Sequence, residues 1–389
     1  MVSNQADHIL STAMRLCLDQ GLGALTMRSA AAAAGVTSSA IVYHFKTRER
    51  LLVALLDHIE NVVADSRKRL ADAFDEEQWA FAGPAACVTA IMRRLLDEQG
   101  LAIIALSEID RLLRGSDAEQ AAQTIMSRAW ERADRFWQSL PVIADEDREG
   151  RAIWAATAQG MIPLVMLDRN PVTRDARIAR IVARLADRLA RRDVALLPPS
   201  SPPEPIAKAV RPAGKQQIVD ATIRLSGKSG IEALTHRKIA AEAGLSVAST
   251  TYFYPAKDDI VADAANDVQT RAMNAVVDGS VPPPVFMSRI MLDNRQQERA
   301  EMAALTAFMT AAIRIPELEQ LATALRRVRG LDGIRWLAAR GYRQTDRLDG
   351  IVWAAASVFL AQQALLQPPP QRAAFLDNVS DAWLTRLFG

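Results

Sequence analysis

An all-α protein built from two fused copies of one helical unit is the fold class that the sequence predicts, and three observations lead to it. Two stretches, beginning at Gly21 and at Gly230, match without gaps at a constant offset of 209 positions. A proline-rich segment separates the two copies, as expected at a boundary between domains. Elsewhere apolar residues recur with the 3.6-residue period of amphipathic helices, and we find no convincing alternation of the kind that predicts strands.

The internal repeat is the strongest of these observations because many identical pairs share one register. Examples are Thr26/Thr235, Arg28/Arg237 and Gly35/Gly244. A weaker similarity lies nearer the end of each half, where Trp154 matches Trp353 at an offset of 199 positions. The duplication is therefore predicted to cover the whole chain and not only its two N-terminal modules.

The helical period is especially clear between residues 177 and 191. One predicted face carries apolar residues, and the opposite face carries five arginines, which are Arg177, Arg180, Arg184, Arg188 and Arg191. We interpret this arginine face as a solvated surface of an amphipathic helix.

Composition and charge exclude several classes of protein. The 389 residues include 47 Lys and Arg against 45 Asp and Glu, which excludes a uniformly basic binder but not a local basic face. Two cysteines are too few for a disulfide scaffold, and the four histidines show no metal-ligand spacing. Nucleophile-elbow and phosphate-loop motifs are lacking from the sequence. We therefore expect no enzyme, no cofactor and no metal site.

The sequence shows no pattern of a membrane or secreted protein. Its first residues lack the basic start and continuous apolar core of a signal peptide. The best apolar stretch, Ile351–Leu366, contains a serine and two glutamines and is short for a membrane span. We expect a cytoplasmic protein with no membrane partner, which agrees with the low cysteine content.

The residues from Thr26 to Arg48 carry the functional signal. Thr26 can cap a short helix of small residues, Gly35 suits the tight turn that follows, and Thr37 can cap the next helix. This order is the plan of a helix-turn-helix, whose second helix reads bases in the major groove of DNA. The same plan recurs from Thr235 to Lys257.

These residues resemble the N-terminal pattern of the TetR family of transcriptional regulators. The first copy shares with the pattern Gly21, Thr26, Arg28, Ala31, Ala34, Gly35, Val36, His44, Phe45, Lys46, Glu49 and Leu51. The second copy shares Gly230, Thr235, Arg237, Ile239, Ala240, Ala243, Gly244, Ser246, Lys257 and Asp258. The chain departs from the pattern at Val42 and Thr251, where the family usually has tyrosine, and at Phe253-Tyr254, which replaces histidine-phenylalanine.

The resemblance implies tandem units, each with a three-helix helix-turn-helix module and a helical bundle for ligand binding and dimerisation. The predicted domains are two DNA-binding modules, two bundles and a linker. Their ranges are 1–50 and 51–195 for the first module and bundle, 196–213 for the proline-rich linker, and 214–259 and 260–389 for the second module and bundle.

Side-chain chemistry and the resemblance together predict the DNA-contacting residues. Small residues at the start of each reading helix can approach base edges, while nearby tyrosines, histidine and cations suit phosphates. The predicted residues of the first copy are Thr26, Arg28, Thr37, Ser38, Ser39, Ala40, Tyr43, His44, Lys46 and Arg48. Those of the second are Thr235, Arg237, Ser246, Val247, Ala248, Ser249, Tyr252, Tyr254 and Lys257. For Tyr43 and Tyr254 the alternative is a place in the core of the module.

The two bundles are expected to bind an unknown small apolar or amphipathic ligand. Aromatic and methionine side chains are the candidates to line a pocket, with core packing as the alternative for each of them. The candidates are Trp130, Trp137, Trp154, Met161, Met302, Phe308, Trp336 and Trp353.

The function that the resemblance implies is binding of double-stranded operator DNA, usually by a repressor that its ligand releases. Because such proteins pair as homodimers, a tandem chain is expected to form a pseudo-dimer internally, while further pairing of whole chains stays open. The alternative is a small-molecule sensor or protein-interaction module with DNA binding weakened or lost in one copy.

Overall fold

The computed structural model describes residues 2–76, 83–198, 204–278 and 296–389. Within these ranges the secondary structure is helical and contains no strand. The predicted all-α class is confirmed.

Eight α-helices form the first half of the described chain. The N-terminal head consists of α1 (Val2–Gln20), α2 (Met27–Ala33) and α3 (Ser38–Phe45). Five further helices follow, which are α4 (Arg48–Glu76), α5 (Gly83–Leu113), α6 (Glu119–Gln138), α7 (Arg148–Val165) and α8 (Pro171–Leu189). Asp147 caps α7 by accepting the backbone N–H of Gly150, and Asn170 caps α8 by accepting that of Val172.

The second half repeats this series. Its head consists of α9 (Ala213–Ser229), α10 (His236–Ala243) and α11 (Val247–Phe253). The bundle helices are α12 (Lys257–Asp278), α13 (Gln296–Arg314), α14 (Glu319–Val328), α15 (Leu331–Ala339), α16 (Arg347–Leu365) and α17 (Arg372–Phe388). Helices α14 and α15 stand at the place of α6, and Gly330 separates them with a φ of 84°, a conformation that favours glycine.

The two halves pack through the last two helices of each. Helix α7 lies along α16, and α8 contacts both α16 and α17. The closest approach is at Gly160, where a Cβ atom would collide with the carbonyl oxygen of Ala355. Trp154 of α7 and Trp353 of α16 belong to one continuous apolar core, so the junction is part of the hydrophobic interior.

A buried cluster of charges also joins the two halves. Arg184 of α8 donates to Asp346 and Asp349 at the start of α16, each at 2.9 Å, and Arg188 donates to Asp349 at 2.7 and 2.9 Å. Asp349 is fully buried, and Arg184 is buried as well. The expectation of a solvated arginine face is therefore wrong for these two arginines, because the helix that they face lies more than 150 residues further along the chain.

The described parts of the segment between α8 and α9 are held against the second half. The backbone N–H of Leu197 donates to Asp346 at 2.7 Å. Asn274 of α12 exchanges two hydrogen bonds with the backbone of Ile206, at 2.8 and 2.9 Å. Arg211 forms ion pairs with Asp263 and Asp267. These contacts fix both ends of the connection between the units.

One helix in the described ranges, Arg347–Leu365, is long and apolar enough to cross a membrane. Most of this helix is buried inside the protein, where it packs against α7, α8 and α15. Its apolar character is thus accounted for by its place in the core between the two halves.

Candidate DNA-binding surface

Side-chain caps fix the helix-turn-helix of the first head. The hydroxyl of Thr26 accepts the backbone N–H of Ser29, whose own hydroxyl oxygen accepts the N–H of Thr26, which completes a capping box. Thr37 accepts the N–H of Ala40 at 3.2 Å and caps α3. Between the helices Gly35 has a φ of 64°, so the predicted caps and the glycine turn are confirmed.

The second head has the same side-chain caps and the same glycine turn at equivalent positions. Thr235 accepts the N–H of Lys238 at 3.2 Å, and Ser246 accepts that of Ser249 at 3.0 Å. Gly244 has a φ of 69° in the turn. Both heads therefore present a short reading helix, α3 in the first and α11 in the second, in the same local geometry.

The reading helices expose large side chains that a core would normally bury. Tyr43 is 73% exposed and its counterpart Tyr252 is 83% exposed. Val42 and Val247 are exposed on the same two helices. Among the described residues, these four make up half of the exposed large apolar side chains, although α3 and α11 are only 8 and 7 residues long. Such clustering is typical of a surface that contacts a partner.

Most of the other predicted DNA-contacting residues are also accessible. Exposed side chains are those of Thr26, Arg28, Thr37, Ser38, Ser39, Lys46, Thr235, Arg237, Ser246 and Ala248, while Ala40, His44, Arg48, Ser249 and Lys257 are half-buried.

Two of the half-buried side chains hold the first head together. His44 Nε2 lies 3.1 Å from Gln5 Oε1, and Arg48 Nε donates to the carbonyl oxygen of Leu25 at 3.2 Å. Gln5 is not predictable as a partner of His44, since an exposed glutamine on a first helix carries no distinctive signal.

Tyr254 corrects one of the sequence-based expectations. It is only 3% exposed, and its hydroxyl donates to Asp263 at 2.5 Å. Lys215 lies over its ring, 4.8 Å from the centroid. Burial and the neighbouring Asp263 raise the pKa of the phenol. Tyr254 therefore belongs to the core of the second head, and the expectation that it contacts phosphate is wrong.

The two heads lie directly against each other. The turn after α1 faces the turn after α9, and a Cβ on Gly21 would come within 2.7 Å of Glu232 Oε1. A Cβ on Gly23 would collide with the side chain and backbone of Glu232. A residue with a side chain at either position would therefore clash with Glu232 of the second head.

Two arginines connect this junction to the bundles. Arg111 at the end of α5 donates to the carbonyl oxygens of Ser226 and Gly227 in the opposite head, at 3.3 and 3.0 Å. Arg314 at the end of α13 forms a two-pronged pair with Glu108 of α5, at 2.7 and 3.2 Å, and lies 3.8 Å from Glu232 of the second head. Local sequence pattern does not predict the pairs of Arg111 with Ser226 and of Arg314 with Glu108, because their partners lie more than 100 residues apart.

The candidate pocket residues occupy two separate cores. Trp137, Trp154, Met161, Trp336 and Trp353 are buried in the core that crosses the junction, with Trp130 packed at its edge. Phe308 is buried in a second core beneath the second head. Met302 lies in α13, but its side chain is outside the part of the chain that the structure describes.

Comparison with known proteins agrees with this architecture. The model of the N-terminal domain of the bacterial regulatory proteins of the tetR family matches twice, at residues 9–55 and 218–264. The HTH-type nicotine-responsive transcriptional repressor HdnoR of Paenarthrobacter nicotinovorans is 28% identical over 184 residues. That match covers 44% of this chain and 95% of the repressor, so this relative is similar to about half of the chain.

Proposed function

Because the chain consists of two fused TetR-type units, each with its own helix-turn-helix, we propose that it binds operator DNA as a pseudo-dimer within one chain. The observation that carries this proposal is the pair of equally capped reading helices that expose Tyr43 and Tyr252. The packing of α7 along α16 supports it, since it joins the two units as two subunits would be joined.

The proposed mode of action is repression that a small ligand relieves, in the cytoplasm and without catalysis. The similarity to a nicotine-responsive repressor supports a ligand-responsive role. Contacts of Arg111 and Arg314 support a route from the bundles to the heads. A ligand that shifts α5 would move Arg111 and with it the second head.

Such a shift would change the distance between the two reading helices, α3 and α11. Reading helices about 34–36 Å apart fit successive major-groove faces of DNA, and a changed spacing breaks the fit. For full release the ligand must prefer the released state by about 5 kcal/mol. We propose that the division into two heads, two bundles and a linker follows the ranges predicted above, and that the DNA contacts are the predicted residues other than Tyr254.

A nuclease footprint of the full-length protein on genomic fragments selected for binding tests the proposal. One protected site of about 15–20 base pairs is expected for two heads one helical turn apart. A footprint about twice as long would mean that whole chains pair further. Failure to protect any selected fragment, at low as well as moderate salt, would overturn the regulator and favour the sensor alternative.

Head-specific variants add a control for the contribution of each copy. The reading residues differ, with Ser38-Ser39-Ala40 in the first head and Val247-Ala248-Ser249 in the second. Giving both heads the first sequence should shift the selected sites toward a true palindrome. Unchanged site preference would show that the two heads do not read the operator asymmetrically.

A further inference from the structure

A buried cation stands in the bundle of the first half without a matching anion. Arg67 of α4 is 4% exposed, and its Nε atom is buried without a hydrogen-bond partner. The nearest carboxylate along its helix face, Glu60, is already paired with Arg128 and Arg132, at 2.9 Å each. In the described ranges no carboxylate forms an ion pair with Arg67, and an unpaired buried charge is costly.

The guanidinium of Arg67 donates a hydrogen bond to the side chain of Gln159, and an acceptor oxygen of a ligand can take the place of that amide oxygen. Its Nη2 atom donates to Gln159 Oε1 of α7 at 3.2 Å, and the indole N–H of Trp137 shares the same oxygen at 3.4 Å. Two donors, one of them charged, thus converge on a single neutral amide oxygen. A carboxylate offers two oxygens with full charge and would satisfy both donors better.

Further polar atoms in the same bundle lack partners. The indole N–H of Trp154, the hydroxyl of Thr157 and the side-chain oxygen of Gln99 are buried without hydrogen bonds. Buried polar groups are normally paired, so unsatisfied groups on α5 and α7 in addition to Arg67 need an explanation. The ring of Phe136 packs edge-on against Trp137, with 4.9 Å between ring centroids, and provides an apolar neighbour for the indole that donates to Gln159.

The second half has neither arginine nor glutamine at the positions equivalent to Arg67 and Gln159. Val358 stands 199 positions after Gln159, and Val276 stands 209 positions after Arg67. Trp336, at the position of Trp137, stacks on Trp353 with 5.6 Å between ring centroids and 4° between planes. The guanidinium of Arg340 covers the Trp336 ring at 4.9 Å. Stacking of its own side chains therefore fills the place that the polar cluster has in the first half.

We propose that the first half alone contains an effector site, centred on Arg67, Gln159 and Trp137, and that the ligand is a small aromatic carboxylate. The acid displaces Gln159 from Arg67, and its ring packs against Trp137 and Phe136. One ligand binds per chain. The inference rests on the proposed function only in treating this ligand as the effector that acts on DNA binding.

Calorimetry and thermal unfolding of the full-length chain test the site. The probes are benzoate and indole-3-acetate, compared with benzamide and indole-3-acetamide, which have the same shape without the charge. We expect the acids to raise the Tm and quench tryptophan fluorescence, with one site per chain, and the amides to do so far less. Arg67→Met should weaken acid binding at least about tenfold, whereas Arg69→Met, an exposed arginine on the same helix, should not.

Gln159→Leu tests the site independently of whether Arg67→Met folds. Gln159→Leu removes the competing amide oxygen and should tighten acid binding. Equal binding of acids and amides, no binding of either acid, two sites per chain, or weaker acid binding by Gln159→Leu would each overturn the proposal. DNA binding measured without the probes separates the two proposals. A chain that binds DNA but does not bind the acids refutes only the proposed effector site. A chain that binds the acids but not DNA refutes only the proposed role as a regulator.

Discussion

Removal of the Asp349 carboxylate should destabilise the junction between the two halves more than any surface charge can. The carboxylate accepts one hydrogen bond from Arg184, two from Arg188 and one from the backbone N–H of Asp346. Removing one partner of a buried pair costs about 3–5 kcal/mol, because the remaining charge stays buried. In Asp349→Ala, Arg184 keeps Asp346 and Arg188 keeps the carbonyl oxygen of Gln344, so we expect about 3 kcal/mol, the lower end of that range.

Urea unfolding followed by tryptophan fluorescence measures this loss, since Trp154 and Trp353 lie in the core at the same junction. The matched control is Asp381→Ala, which removes a 2.6 Å pair with Arg340 whose side chains are 44% and 64% exposed. An exposed pair of this kind contributes about 0–1 kcal/mol. The free energy of unfolding of each variant is compared with that of the parent chain, and the comparison requires that the fitted m values agree.

A third variant separates burial from charge. Asp349→Leu together with Arg188→Met should recover much of the lost stability, because two apolar side chains avoid the desolvation of two charges while Arg184 keeps its pair with Asp346. If Asp349→Ala shifts the unfolding midpoint no further than Asp381→Ala, the cluster does not hold the halves together and our reasoning fails.

Three further predictions concern the junction, the second head and the thiols. Gly160→Val should lower the midpoint of unfolding by a large amount, by forcing α7 from α16, while Ala183→Val on the exposed face of α8 measures the cost of valine in a helix alone. Burial acts to raise the pKa of Asp263, but hydrogen bonds from Arg211 and Tyr254 leave it lowered. Its contribution to stability is therefore present at neutral pH and is lost as the pH falls through that lowered value. An Asp263→Asn variant should lack this part of the acid titration. Burial raises the pKa of Cys17 to about 12 and also raises that of Cys87, so a thiolate reagent at pH 8 should modify neither until urea is added.

Local signals in the sequence predicted the heads well. Thr26, Thr37 and Gly35 act through contacts within five residues, so their types alone determine the caps and the turn. The all-α class and the repeat were likewise visible because helical period and register are properties of short stretches. The predicted accessibility of the reading helices followed from the same local pattern.

Contacts between distant parts of the chain were not predictable from local pattern. Arg184 has the spacing of a solvated face, yet α16 covers it, and only the fold brings Asp349 there. Tyr254 occupies a position where the resemblance favoured phosphate contact, but Asp263, nine residues later on the next helix, draws its hydroxyl inward. The pairing of Arg67 with Gln159, 92 residues away, likewise depends on how the helices pack.

The packing of α7 along α16 within one chain has a genetic consequence if the two halves are partners. In a homodimer a defective subunit sequesters good ones into mixed pairs, so a damaged allele can be dominant. Here each half meets its partner at the high local concentration that a covalent connection provides. If the chain binds operator DNA as proposed and whole chains do not pair further, a damaged second copy of the gene should therefore be recessive, and low occupancy of the operator should rise in simple proportion to the number of chains.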